Sequence, residues 1–290
     1  MRDLRWLLCG VACALSACTT ILPTSEEGQA HSTVLLQQQA AQASARLRAG
    51  GMATPMLYAG FALNDQSTAF QGDVLRLSEI TAQLSPNSPQ LLFSNAQGAG
   101  KPALPFATIP DFVRGAEVLQ TLASEAKAAT RRDPLLVVLF SSHGGEKMLN
   151  LSSDDANGTL SAHTIAKVLE PLEAYPTLLI ISACHSGSHV PDLQRDNRII
   201  LTAAAADRIS FGCQPNSRQT WFVEALLKSF DPELSLKQWF DRTVESVRTW
   251  EKNLGYKESL PQMVVGADMS AYATTPMRRL FDGGKQISRQ

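Results

Sequence analysis

Apolar positions along the chain fall into two alternating rhythms. Short continuous runs lie at residues 56–63, 89–93, 135–140, 177–183 and 198–203. Unbroken apolar runs of this length suit strands covered on both faces. Between them, apolar residues recur at helical spacing. Residues 69–84 carry Val74, Leu75, Leu77, Ile80 and Leu84; the stretch after Pro110 carries Phe112, Val113, Ala116, Leu119, Leu122 and Ala123. Ser161 is placed to cap a helix through Leu172, and residues 219–230 and 235–250 read as two more, the second with Leu236, Trp239, Phe240, Val244 and Val247 on one face. Pro110 and Asp111 suit a first helical turn. Strands separated by helices need crossover connections, so the pattern predicts an α/β layered domain with a mostly parallel sheet.

The remaining stretches are less patterned. Residues 32–47, rich in Ala and Gln after Ser32, predict a helix closed by Gly50-Gly51, with an apolar face so weak that it is expected to pack loosely or not at all. Residues 94–105 read as a loop, Asn150-Leu-Ser as a loop or short strand, and 261–272 as containing a short apolar piece. Asp154-Asp-Ala-Asn-Gly158 lacks calcium-loop ligand spacing and reads as a plain turn. The last residues are expected to fray. There is no internal repeat.

Composition narrows the class. With 290 residues and 44% hydrophobic content, the chain can bury a large core. A net charge of −1 with scattered basic residues excludes nucleic acid as a natural partner. The N-terminus changes the picture more. Arg2 and Arg5 precede an apolar run over 6–14 that is too short to span a bilayer, and Leu15-Ser-Ala-Cys18 follows. This looks like the lipobox of bacterial lipoproteins, which implies acylation of Cys18 and a membrane anchor. Thr19, in place of Asp, implies the outer membrane, facing the periplasm. The expected partition is a signal segment over 1–18, a tether and helix over 19–54, a main domain over 55–275 and a tail over 276–290.

The candidate chemistry sits at two strand ends. Leu135-Leu-Val-Val-Leu-Phe-Ser-Ser-His143-Gly-Gly145 ends in an imidazole, and Thr177-Leu-Leu-Ile-Ile-Ser-Ala-Cys184-His-Ser-Gly187 ends in a thiol. Sites in parallel sheets lie beyond the C-terminal strand ends. A thiol attacks as thiolate and needs a base nearby, which His143 supplies if the strands are neighbours. The N–H groups of Gly144 and Cys184 are suited to a developing oxyanion. Cys9 and Cys13 leave with the signal and Cys18 takes lipid, so Cys184 and Cys213 remain; a disulfide between them is the alternative in an oxidising compartment. His185 and His189 read as loop residues. A metal site from Cys184, His185 and His189 is poorly spaced.

These residues resemble a known family. Ser-Ser-His143-Gly and Ile-Ser-Ala-Cys184-His-Ser-Gly are similar to the paired motifs of clan CD cysteine peptidases, and more closely of the C13, legumain-like family in its bacterial branch. Ile200-Leu-Thr-Ala-Ala-Ala-Ala-Asp-Arg-Ile-Ser-Phe-Gly-Cys213, Thr220-Trp-Phe and Ser259-Leu-Pro-Gln262 support the resemblance over residues 55–272. It implies a caspase–haemoglobinase-like α/β/α sandwich with a mostly parallel sheet. It implies His143 as general base and acid, Cys184 as nucleophile, Gly144 and Cys184 as oxyanion donors, an acyl-enzyme, a peptide or protein substrate and no cofactor. The family's acidic residue two positions before the nucleophile is here Ser182, which withdraws the expectation of asparagine specificity. Asp65, Ser210 and Glu224, with Ser182, are the expected substrate-binding residues, suited to a basic or polar side chain. A transamidase using the same pair and a non-catalytic binding or scaffold lipoprotein are the alternative functions.

Overall fold

The computed structural model describes residues 26–50, 55–96, 103–153 and 156–281. The expected signal segment, the lipobox with Cys18 and residues 282–290 of the tail lie outside them.

In chain order the elements are α1 (Glu26–Ala49), β1 (Met56–Ala62), α2 (Thr68–Leu84), β2 (Gln90–Ser94), α3 (Ile109–Thr130), β3 (Leu135–Ser141), β4 (Gly144–Gly145), β5 (Met148–Ser153), β6 (Ala156–Ser161) and α4 (Ala162–Leu169). After these come β7 (Thr177–Ser182), α5 (Val190–Leu193), β8 (Arg198–Thr202), α6 (Trp221–Ser229), α7 (Leu236–Asn253), β9 (Gln262–Val265), α8 (Ser270–Thr274) and α9 (Met277–Phe281). Six strands form one sheet in the order β2-β1-β3-β7-β8-β9, parallel except for β9 against β8. A small antiparallel sheet, β4-β5-β6, stands beside it.

Period-two alternation divides the strand residues between two cores. Leu57, Ala59 and Phe61 of β1, with Leu136, Val138 and Phe140 of β3, face α1, α3 and α4. Met56 and Tyr58, with Val137 and Leu139, face α2, α6, α7, α8 and α9. The result is an α/β/α sandwich with a mostly parallel sheet, as expected. In the first core Phe61 stacks on Phe93 and Phe140 at 4.5 and 5.3 Å and meets Phe112 edge-on at 5.1 Å.

Four expectations need correction. The N-terminal helix begins at Glu26 and packs firmly: Leu36, Ala43 and Leu47 are buried in the core, and Ser32 Oγ donates to Asp111 and accepts from the Phe106 N–H. Gln39 binds both backbone groups of Leu92, donating to its carbonyl at 3.0 Å and accepting its N–H at 2.8 Å. It thereby closes part of the sheet edge formed by β2. Residues 156–158, expected in a plain turn, open strand β6, which pairs with β5 in a hairpin. The helix expected through Leu172 stops at Leu169 and tightens into a 3-10 turn over Glu170–Leu172, where Pro171 has no N–H to continue it. At the C-terminus Met277, Leu280 and Phe281 are buried in the second core rather than frayed.

Candidate active site

Sheet register sets the two candidate residues at adjacent strand ends. β3 and β7 are adjacent and parallel, with Ser141 opposite Ser182. His143 and Cys184 each lie two residues beyond that pair, at the C-terminal edge of the sheet. The Ser142 N–H donates to Ser182 O at 3.1 Å and continues the pairing one step further.

Each side chain has a distinct setting. The His143 ring is half-buried and meets Phe70 of α2 edge-on at 5.0 Å. Burial pushes its pKa below 6.5, so it is neutral near pH 7 and able to accept a proton. Cys184 is a half-buried free thiol. Its Sγ accepts from the Ser210 N–H at 3.3 Å and lies 3.8 Å from Ser210 Oγ, a second donor. These donors suit a sulfur that carries negative charge in a reaction. Gly144 follows the histidine so close to the Cys184 segment that a Cβ there would meet Cys184 O at 2.4 Å and Ala183 Cβ at 2.9 Å.

The loop after Cys184 is held from three sides. His185 adopts φ 55°, a left-handed conformation that costs a non-glycine residue about 1 kcal/mol or more. Its N–H donates to Arg208 O at 2.7 Å, and its Nδ1 lies 3.0 Å from Ala206 O. The Gly187 N–H donates to Ala204 O at 2.9 Å, and a Cβ there would strike Gln262 Oε1 at 2.4 Å. Ser259 accepts the Ala205 N–H through its carbonyl, and its own N–H is bound by the buried Glu251 carboxylate at 3.1 Å. The tracts 200–213 and 259–262 therefore form the bed of the Cys184 loop. Gly212, at φ 89°, packs on the Trp221 backbone N, where a Cβ would approach to 2.5 Å. Among the described residues no three His, Cys, Asp or Glu side chains are grouped as metal ligands.

The Peptidase C13 family profile matches residues 114–271, which contain both strand ends and both supporting tracts. The chain belongs to the peptidase C13 family. Peptidases of the C13 family are cysteine peptidases, and the fold and the thiol at the sheet edge are consistent with membership. No curated protein is significantly similar in sequence. Solved structures of comparable layout include pro-sf-caspase-1, with 14% identity over 74% of this chain and 92% of its own and a TM-score of 0.48. A protein of Geobacter sulfurreducens shows 12% identity over 77% of this chain and 98% of its own, with a TM-score of 0.49.

The four residues expected to bind substrate stand in different settings. Ser210 stands at the sulfur. Asp65, half-buried, accepts from Ser152 Oγ at 2.6 Å. Glu224 is paired with Lys228 at 2.6 Å and lines a recess of about 230 Å³ with Trp221, Trp250, Asn253 and Leu254. Ser182 is only 1% exposed, and its hydroxyl is engaged with Thr220 Oγ1 at 2.8 Å and Asp73 Oδ2 at 3.3 Å. It lies beneath the site rather than on an open wall, because the side chain points toward α2 and the start of α6. Cys213 is a half-buried free thiol packed on the second core; burial, then the neighbouring Cys184, pushes its pKa up.

Sequence reasoning missed Asp73. Its carboxylate is fully buried at the junction of β3, β7 and α6. A signal was present: an acid three residues after Phe70 and four before Leu77, on the buried face of α2.

Proposed function

We propose that the protein is a cysteine endopeptidase in which His143 and Cys184 form the reacting pair. The observation that carries this reading is the register of β3 against β7, which sets the two residues at the same distance beyond one paired rung. In the first step His143 takes the Sγ proton as the sulfur attacks the scissile carbonyl carbon. The carbonyl oxygen becomes an oxyanion, received by the N–H groups of Gly144 and Cys184. Protonated His143 then gives its proton to the leaving amine, the C–N bond breaks, and a thioester remains on Cys184. Water, deprotonated by His143, attacks the thioester; a carboxylic acid leaves and the thiol is restored. Burial keeps His143 in the neutral form that can accept the Sγ proton.

The substrate is a peptide or protein. Ser210, at the sulfur, is the best-placed substrate contact of the four expected residues. We further propose that Cys18 carries lipid and tethers the domain to the outer membrane on its periplasmic side, on the strength of Leu15-Ser-Ala-Cys18 and the basic and apolar segments before it. Among the described residues, no helix is long and apolar enough to cross a membrane.

The test is a fluorogenic peptide library incubated with the full chain and with Cys184→Ala and His143→Ala. Turnover lost in both variants supports the reading; turnover retained in Cys184→Ala refutes it. An added amine separates the chemistries: amide products in place of acids would make the enzyme a transamidase. For the anchor, Cys18→Ala is expected to move the protein from the membrane to the soluble fraction, and an unchanged membrane fraction would overturn that part.

A further inference from the structure

We propose that Asp73 is a positioning residue for this reaction: one buried carboxylate that ties together the strand ends carrying His143 and Cys184 and the first turn of α6. The inference rests on the reading of those two residues as the reacting pair. Ser141, two residues before His143, donates its hydroxyl to Asp73 Oδ2 at 2.6 Å. Ser182, two residues before Cys184 and opposite Ser141 in register, reaches the same oxygen at 3.3 Å. Thr220, which caps α6, donates its hydroxyl to Oδ2 and its N–H to Oδ1, both at 2.9 Å. Asp73 and Ser141 are 0% exposed, Ser182 1% and Thr220 3%.

Burying a carboxylate is costly unless it is fully hydrogen-bonded, and four donors from three separated segments meet that need here. The arrangement does more than satisfy a charge. A serine on each of two adjacent strands converges on one oxygen atom, so relative movement of the strand ends stretches a bond on either side. The same helix touches the imidazole, because Phe70, one turn earlier, supplies the ring against His143. The start of α2 is fastened in turn to the loop after Cys213: Ser67 Oγ donates to Gln214 O at 2.7 Å and Thr68 Oγ1 to Ser217 O at 2.8 Å. A Cβ on Gly72 would meet Arg218 O at 1.8 Å, so the helix backbone itself lies on that loop.

Burial pushes the Asp73 carboxyl up to about 7. Tyr58 of β1 and Cys213 are the ionisable groups electrostatically coupled to it. The hydroxyls around it can donate or accept, so the links persist in either protonation state. An asparagine can reproduce most of them, its amide donating to the hydroxyls and its oxygen accepting the Thr220 N–H.

The experiment compares Asp73→Asn, Asp73→Ala and the double variant Ser141→Ala/Ser182→Ala in the full chain, with kcat and KM on a peptide that the wild type cleaves and near-UV circular dichroism as the fold check. Displacing reacting groups by about 1 Å costs on the order of 100-fold. Asp73→Ala and the double serine variant are therefore expected to lose roughly 30- to 100-fold in kcat with KM within about threefold, and Asp73→Asn to recover to within about fivefold of wild type. If Asp73→Ala does not fold, the double serine variant decides, since it leaves the carboxylate on Thr220. Folded variants with lowered Tm but unchanged kcat overturn the proposal. So does an Asp73→Asn as impaired as Asp73→Ala, or one altered only in its substrate preference. Cys184→Ala run alongside separates the levels: its inactivity confines any such failure to Asp73, whereas activity retained there removes the underlying reading.

Discussion

Replacing Gly144 with alanine tests the closeness of the histidine and cysteine segments. The added Cβ would lie 2.4 Å from Cys184 O and 2.9 Å from Ala183 Cβ, whereas ordinary contact begins at 3.4 Å. The nearest obstacle is backbone, so it cannot swing aside as a side-chain tip would. Either the Cys184 peptide or the start of β4 must retreat by about 1 Å, a displacement that costs on the order of 100-fold in rate. That factor corresponds to about 2.7 kcal/mol in kcat/KM. Overpacking is expected to lower stability by about 1–3 kcal/mol as well. Gly145 is the internal control. It belongs to the same two-residue strand, yet a Cβ there meets nothing within 4 Å, and neither glycine has positive φ. Peptide turnover and urea unfolding of both variants are the assays. Gly144→Ala should be severely impaired and Gly145→Ala near wild type. A Gly144→Ala enzyme within threefold of wild type would refute the fit, and equal damage in both would point to hairpin mobility instead.

Other consequences follow from burial. His189 is 0% exposed, and desolvation pushes its pKa down to about 4. The unfolded chain then binds a proton below about pH 6.5 that the folded chain refuses, so stability falls as pH drops; between pH 7 and 4.5 this site costs roughly 2–3 kcal/mol. His189→Leu should reduce that loss in urea titrations at the two pH values, and an unchanged difference would contradict the assignment. Asp73 acts in the opposite sense: its folded pKa of about 7 lies above the unfolded value, so its contribution is present at low pH and is lost as pH rises toward and through 7. Asp73→Asn should accordingly remove a fall in stability between about pH 4 and 7 in the same urea titrations, and an unchanged slope over that window would contradict the assignment. Leu36→Ala is expected to destabilise by about 2–4 kcal/mol, as for a buried leucine; a cost below 0.5 kcal/mol would mean that α1 is not part of the core. Cys213, its thiol pKa raised by burial, should react with iodoacetamide more slowly than Cys184 in peptide mapping, and faster labelling of Cys213 would reverse the order of reactivity.

The strands were legible because a parallel sheet covered on both faces needs uninterrupted apolar runs, and those runs stand out between 135 and 140 and between 177 and 183. That His143 and Cys184 stand at the ends of adjacent strands was legible for the same reason, since each closely follows such a run. Helix α1 was misjudged because its docking uses groups that apolar periodicity does not register: Ala43, the Ser32 hydroxyl and the Gln39 amide that binds Leu92. Strand β6 was missed because Asn157 and Gly158 are turn residues locally, and only pairing with Leu151 and Ser152 makes them extended. Asp73 lies on the apolar face of α2, the one local sign of its burial, but its partners are 68, 109 and 147 residues away, so nothing local shows what it binds. The settings of Ser182 and Glu224 were not legible either: the direction of a side chain at a strand end or helix start depends on what packs there, Asp73 for one and Lys228 with the two tryptophans for the other.

Mass spectrometry of the intact protein after reaction with a peptidyl acyloxymethyl ketone tests the proposed chemistry most directly. One adduct per chain, mapped to Cys184, formed in step with loss of peptide turnover and strongly slowed in His143→Ala, is the expected result. An adduct on Cys213, or none on Cys184 while turnover continues, would contradict the account.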